Sequence, residues 1–328
     1  MPVRENAPGK QASPAPPVHT VVAKGGEALN RRKWQALLLT GVLVLLLVSS
    51  AAAAEAVRRG LALCVRSVIP ALFPYFVVSG LFTSLGFAGG IGRRLAPVTE
   101  RLFGVGGAGA SALFLGFLGG YPVGGRTVGQ LFRSGALSQP EAERLLAFCN
   151  NAGPSFILGV VGLGCFGSLR AGVILYLLHI LSALLVGVLL KKRDRPRVNF
   201  RLPLSPPEKF LPAFLRSVQE SADAMLRLCA FVVFALVVQT LLAGLTGLRH
   251  PAALGFIELT GGVAQLENGP GDFVWAAVLL GWGGLSVHGQ TAAVLDGTGL
   301  KMTRYFFGKG LQAAISAVLA YLAVQYVV

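Results

Sequence analysis

The sequence predicts an all-α polytopic membrane protein made of two inverted-topology halves, each interrupted by a broken helix or re-entrant hairpin. Three observations lead there. Charged residues are only 13% of the 328 positions while 54% are hydrophobic, and soluble domains carry roughly twice that charge. The apolar residues fall in runs of about twenty, enough to cross a hydrocarbon core ~30 Å thick. Two glycine-rich breaks, GGYPVGGRT at 119–127 and GGLSVHGQT at 283–291, then repeat one another without a gap.

The net charge of +15 invites a nucleic-acid reading, which the distribution rejects. Six basic residues lie in 1–33 and eight in 191–216, nearly half of the 29, in polar stretches flanking apolar runs. That is the pattern of the positive-inside rule rather than of a basic face on a domain. The partner this composition implies is the lipid bilayer, with no nucleic acid. Cys64, Cys149, Cys165 and Cys229 have neither zinc-site nor redox-motif spacing and read as packing residues. No cofactor is implied. No serine–histidine–carboxylate arrangement or phosphate-binding loop is recognisable, so an enzyme is not expected.

In chain order, residues 1–33 are rich in Pro, Ala and Gly and read as a disordered basic tail. Trp34–Ala54 reads as a first span; the small residues after its apolar core also resemble a signal-peptidase site, a rival reading. Leu61–Gly86 contains Pro70 and Pro74 and predicts a kinked span. Gly116–Gly125 is a glycine-dense break. Leu145–Phe166 is a candidate span interrupted at Asn150–Pro154, and Ala171–Leu190 is an unbroken span closed by Lys191-Lys192-Arg193. Met225–Leu245 spans again. Ala252–Leu266 is short for a crossing and holds Glu258; Phe273–Leu295 contains the second break, and Gly310–Val328 is the last span. With basic segments inside, this gives about six crossings plus two segments that enter and return. The chain thus divides into a tail (1–33), a first transmembrane half (34–190), a cytoplasmic basic loop (191–216) and a second half (217–328).

Between the two breaks, Gly119/Gly283, Gly120/Gly284, Val123/Val287, Gly125/Gly289 and Thr127/Thr291 coincide, and the same register pairs Leu115 with Leu279. The charge distribution runs span 61–86 inward and span 225–247 outward, which makes the halves inverted repeats. Broken helices meeting at mid-membrane are a recurring architecture of secondary transporters. Backbone that leaves helical geometry in lipid strands polar groups at several kcal/mol each, so it survives only inside protein or around a wet cavity. Half-helix ends aim partial charges into that cavity, and glycine lets backbone amides approach a ligand.

Candidate site residues follow from these breaks. Arg126 is a possible carboxylate clamp, against an interfacial snorkelling role. Asn150 and Asn151 offer amides to a solute or cap the following half-helix. Ser286, His288 and Gln290 occupy the second break, His288 as anion donor, proton carrier or structural residue. The matched hydroxyls of Thr127 and Thr291 line a site or back-bond to helix carbonyls, and Tyr121 stacks on an aromatic ring or fills the core. Glu258, a carboxylate in an apolar stretch, is the candidate for ion or proton coupling, against an interfacial role. Glu141, Glu143 and Arg144 read as the solvated face of a short helix.

The stretch 115–159, LGFLGGYPVGGRTVGQLFRSGALSQPEAERLLAFCNNAGPSFILG, and GWGGLSVHGQ at 281–290 resemble the YlbJ-type sporulation integral membrane proteins of the nucleoside-recognition, or Gate-domain, superfamily. The resemblance covers roughly residues 34–328. It departs at Arg126, where lysine is expected, and at Gly289, where alanine is expected. It implies an organisation similar to concentrative nucleoside transporters, in the bacterial cell membrane or the outer forespore membrane. It also implies a role in moving dipicolinate, a small-molecule anion, from mother cell towards forespore. Three functions are therefore open: a transporter or facilitator of a small aromatic or carboxylated solute, a nucleoside or nucleobase transporter, and a non-transporting component of spore-envelope assembly. A homo-oligomer also stays open.

Overall fold

The computed structural model describes residues 18–191 and 209–326. Among the described residues all regular structure is helical, and the chain divides into two compact units, residues 1–51 and 52–328.

The first unit is helix α1, Val18–Val48. It corrects the expectation of a tail over 1–33, because residues 18–33 are helical; residues 1–17 lie outside the described set. The reason is local: AKGGEALNRRK is rich in helix-forming Ala, Glu, Leu, Arg and Lys, and the apolar span beyond it supplies a nucleus from which the helix propagates backwards.

The second unit begins with α2 (Ser50–Leu63) and α3 (Ile69–Ser84), joined without a break by a π-helical turn at Cys64–Val68. The wide turn lies just before Pro70: proline removes an amide donor, and widening one turn lets the freed carbonyls find others. Helix α4 (Phe87–Phe103), amphipathic and not anticipated, turns by 96° into α5 (Gly107–Gly119). After the first break come α6 (Val123–Arg133) and α7 (Gln139–Cys149). The interruption at 150–154 leads into an eleven-residue π-helical segment, Ser155–Cys165, and α8 (Leu169–Leu189) is the expected unbroken span.

Helix α9 runs Phe210–Thr246, 37 residues, so the expected cytoplasmic loop over 191–216 ends by residue 209; residues 192–208 lie outside the described set. At 1.5 Å per residue α9 is about 55 Å long, well beyond a hydrocarbon core. Its N-terminal extension is held by a stripe of small buried residues, Ala213, Ser217 and Ser221, continuing into Met225, Leu228 and Val232. Ser217 Oγ donates to the Val77 carbonyl at 2.6 Å, a close approach that Gly80 on α3 permits. The ambiguous stretch 252–266 folds as two single helical turns, α10 (Pro251–Gly255) and α11 (Leu259–Val263). Helices α12 (Pro270–Trp282) and α13 (Gly284–Leu295) flank the second break, and α14 (Thr303–Ala323) closes the chain.

Among the described residues three helical stretches are long and apolar enough to cross a membrane singly, Leu169–Leu189, Phe210–Thr246 and Thr303–Tyr326. With the bent pair α4–α5 and the shorter apolar helices beside them, the protein is an all-α polytopic membrane protein.

One expectation is overturned outright. Glu141, Glu143 and Arg144 are buried rather than a solvated face. Each is held by the chain around it. Glu141 Oε2 accepts from the amide and hydroxyl of Ser138 at 3.1 and 2.7 Å, the capping box that starts α7. Glu143 accepts from Gln139 and from the Lys301 amide, and Arg144 donates to the Gly104 carbonyl at 2.7 Å. Charge alternation looks the same on a solvated helix and on a buried one whose charges are satisfied.

Candidate functional site

Both glycine breaks border one cavity. Gly119, Gly120 and Tyr121 contribute from the first and Ser286, Val287 and Gln290 from the second. Gly153, α3, α9 and the loop at Glu258 complete it. The backbone explains the breaks. Gly120 has φ +72° and ψ −169°, a region open essentially to glycine, and its Cα lies against the Gly153 backbone. Gly283 has φ +93° and ends α12 in the left-handed conformation typical of a helix C-terminus.

The polar groups freed by these breaks are accounted for one by one, as burial demands. At the start of α13, the amides of Leu285 and Ser286 donate to the carbonyls of Phe256 and Ile257, both at 3.0 Å. At α6, the Gly125 amide donates to Asn150 Oδ1 at 3.1 Å, and Asn150 Nδ2 donates to Thr291 Oγ1 at 2.8 Å. At the 150–154 interruption, the Ala152 amide donates to His179 Nε2 at 3.1 Å, and the Asn150 carbonyl accepts from Lys309 Nζ at 3.1 Å. Lys309 Nζ also donates to Gln312 Oε1 at 2.7 Å, and Gln312 Nε2 donates to Asn151 Oδ1 at 3.1 Å. A buried polar network thus joins both breaks to α8 and α14.

The expected site residues sort into three groups. Tyr121, Ser286, Gln290 and Glu258 line the cavity. The Ser286 hydroxyl is buried with no hydrogen-bond partner among the described residues. Tyr121 OH donates to the Leu280 carbonyl at 3.0 Å. Both Glu258 carboxylate oxygens cap α11, accepting from the amides of Thr260 and Gly261, so Glu258 is an interior helix cap on the cavity wall rather than an interfacial carboxylate. Asn150, Asn151, Thr291 and His288 belong to the supporting network; His288 Nδ1 meets Tyr305 OH at 2.9 Å inside a cage of Trp282, Tyr305 and Phe306 rings. Thr127 back-bonds to the Val123 carbonyl at 2.8 Å. Arg126 stands apart. Its side chain is 46% exposed and pairs with Glu220, itself 49% exposed, at 3.3 Å, and it does not border the cavity.

Sequence reasoning missed Lys309, Gln312, His179 and Tyr305. Lys309 is fully buried in α14. The last span was drawn from Gly310, one residue too late, although Lys309, Gln312 and Ser316 recur at helical spacing in an apolar run and mark an inward polar face.

The cavity measures about 40 Å³ as space for water centres, room for a few waters at roughly 10–15 Å³ each. Phe76, Tyr121 and Phe156 line it beside Glu258, Ser286 and Gln290. Among the described residues no cluster of His, Cys, Asp and Glu is placed to hold a metal ion.

Fold and site together define the class: an integral α-helical membrane protein with a partly polar cavity where its broken helices meet. Among curated proteins the chain is similar to the sporulation integral membrane protein YlbJ of Bacillus subtilis (strain 168). The two are 26% identical over 308 residues, covering 80% of this chain and 76% of that protein, a distant relationship. No family model and no solved structure matches the chain.

Proposed function

We propose that the protein is a secondary transporter or facilitator of a small aromatic or carboxylated solute, with dipicolinate as the leading substrate. The observation that carries this reading is the meeting of the two matched glycine breaks on one cavity that holds an unpartnered hydroxyl, Ser286. A membrane scaffold has no need of two such breaks, each of which has to be repaired by a dedicated set of hydrogen bonds. Two inverted halves are our reading of the repeat. In its support, α5 and α12, the helices leading into the breaks, both have 13 residues. The aromatic walls suit a flat ring, and the similarity to a protein named for sporulation favours a spore metabolite, carried in the bacterial cell membrane or the outer forespore membrane. Glu258, on the cavity wall, is the candidate for ion or proton coupling.

A second reading, a nucleoside or nucleobase as solute, is favoured by one observation. The charged group bordering the cavity is the acceptor Glu258, with Gln290 near it, while Arg126 lies outside. Acceptors suit a neutral solute rich in N–H and O–H donors.

Uptake into proteoliposomes decides between them. Saturable dipicolinate uptake, abolished by Ser286→Phe, which fills the cavity, is the expected result. Uridine uptake without dipicolinate uptake selects the second reading. Uptake of neither, from correctly folded protein, returns the assembly role.

A further inference from the structure

Lys309 is a basic side chain with no acidic partner among the described residues. It is completely buried, and its ammonium group meets neutral acceptors only, the Asn150 carbonyl and Gln312 Oε1. Its remaining donor direction faces an aromatic ring, with Nζ 5.6 Å from the centroid of Tyr121. None of the ion pairs among the described residues involves it. Burying a lone charge at membrane depth is costly, and such residues persist chiefly where function requires them. Two neutral hydrogen bonds and a cation–π contact hold the ammonium group but do not neutralise it.

Tyr121 is also a wall of the cavity. One aromatic ring therefore has the cavity on one side and Lys309 on another. The ring is held by a single side-chain hydrogen bond, from its hydroxyl to the Leu280 carbonyl, and follows a glycine whose backbone lies outside the ordinary range.

We propose that Lys309 is the specificity-determining cation of this site, exposed by movement of the Tyr121 ring and paired with an anionic group, of which a carboxylate is the best fit, on the bound solute. The proposal rests on the cavity being the solute site. It gives that site a positive charge beside Glu258, whose carboxylate is occupied in capping α11.

The test is equilibrium binding to the full chain in lipid nanodiscs. The probes are dipicolinate and its uncharged diamide, equal in shape and different in charge. The wild type should bind dipicolinate the more tightly. Lys309→Met keeps the apolar stem and should weaken dipicolinate binding roughly 10- to 100-fold, the loss of a hydrogen bond to a charged group, while diamide binding is unchanged. Lys309→Arg should retain most of the preference. Lys309→Met strands the Asn150 carbonyl and Gln312 Oε1 and should lower stability whatever the role of the charge; the selectivity separates the roles, because a lysine that is only a structural pin weakens both probes together, which overturns the proposal. Equal binding of both probes by the wild type overturns it too. Failure of the wild type to bind either probe removes the cavity reading and the proposal with it, whereas equal binding of the two probes removes the proposal alone.

Discussion

Asn150→Ala tests whether the side-chain network or helix packing alone holds the two breaks together. Asn150 is completely buried and joins residues far apart in the chain, accepting from the Gly125 amide and donating to Thr291 Oγ1. Truncation strands the Gly125 amide, one of the first amides of α6 and so without an intrahelical partner; an unsatisfied buried donor costs about 1–3 kcal/mol. The bond to Thr291 adds about 0.6–1.7 kcal/mol, the range for interhelical side-chain bonds in membrane proteins. The Lys309 contact survives, because it is made to the Asn150 backbone carbonyl. The expected loss is therefore about 2–4 kcal/mol. It is measured by reversible unfolding in mixed micelles with tryptophan fluorescence, Trp282 packing edge-on against His288 at 4.5 Å and so reporting from the second break. Thr291→Val should couple to it, the double variant falling short of the sum of the single losses by about 1 kcal/mol. An Asn150→Ala protein within about 0.5 kcal/mol of wild type, or strict additivity with Thr291→Val, would refute the reasoning.

Three more outcomes are expected. Gly120→Ala forces a side chain into a glycine-only conformation and against the Gly153 amide, 2.8 Å from the added Cβ; it should cost at least about 1–3 kcal/mol and lower the folded fraction in fluorescence size-exclusion chromatography. Arg126→Ala removes a half-exposed ion pair, worth about 0–1 kcal/mol, and should leave both stability and solute binding near wild type by the same unfolding and binding assays. Glu258→Gln keeps the shape of the α11 cap but replaces a charged acceptor by a single carbonyl oxygen. It should destabilise by about 1 kcal/mol, and in proteoliposomes it should uncouple uptake from an imposed ion or proton gradient while exchange of solute continues.

The breaks at 119–125, 150–154 and 283 were legible because each is written locally: glycine and proline gathered inside apolar runs have few other uses in a membrane. The unbroken span at Leu169–Leu189 was legible for the same reason. Side-chain direction was harder. Arg126 sits at a break, yet Gly124, Gly125, Val128 and Gly129 are the buried stripe of α6, and helical phase puts Arg126 on the other face. Position along the chain places Arg126 at the break, whereas position around the helix places it outside the buried stripe. Helix α4 was missed because its four charges and its proline at 97 mask an amphipathic pattern.

By itself, then, the sequence determined the solvent of this protein, its helical class, where helices break, and which hydroxyl and amide groups lie near those breaks. These follow from transfer free energies and backbone geometry, which depend on a residue and its neighbours in the chain. Tertiary structure alone decided that Asn150 bonds Thr291, that Lys309 closes on Asn150, that Glu258 caps a turn on the cavity wall, and that Arg126 is excluded from it. Those pairings join residues separated by as many as 159 positions. A buried polar group accepts whichever partner the packing brings within about 3 Å, and that is a property of the assembled helices.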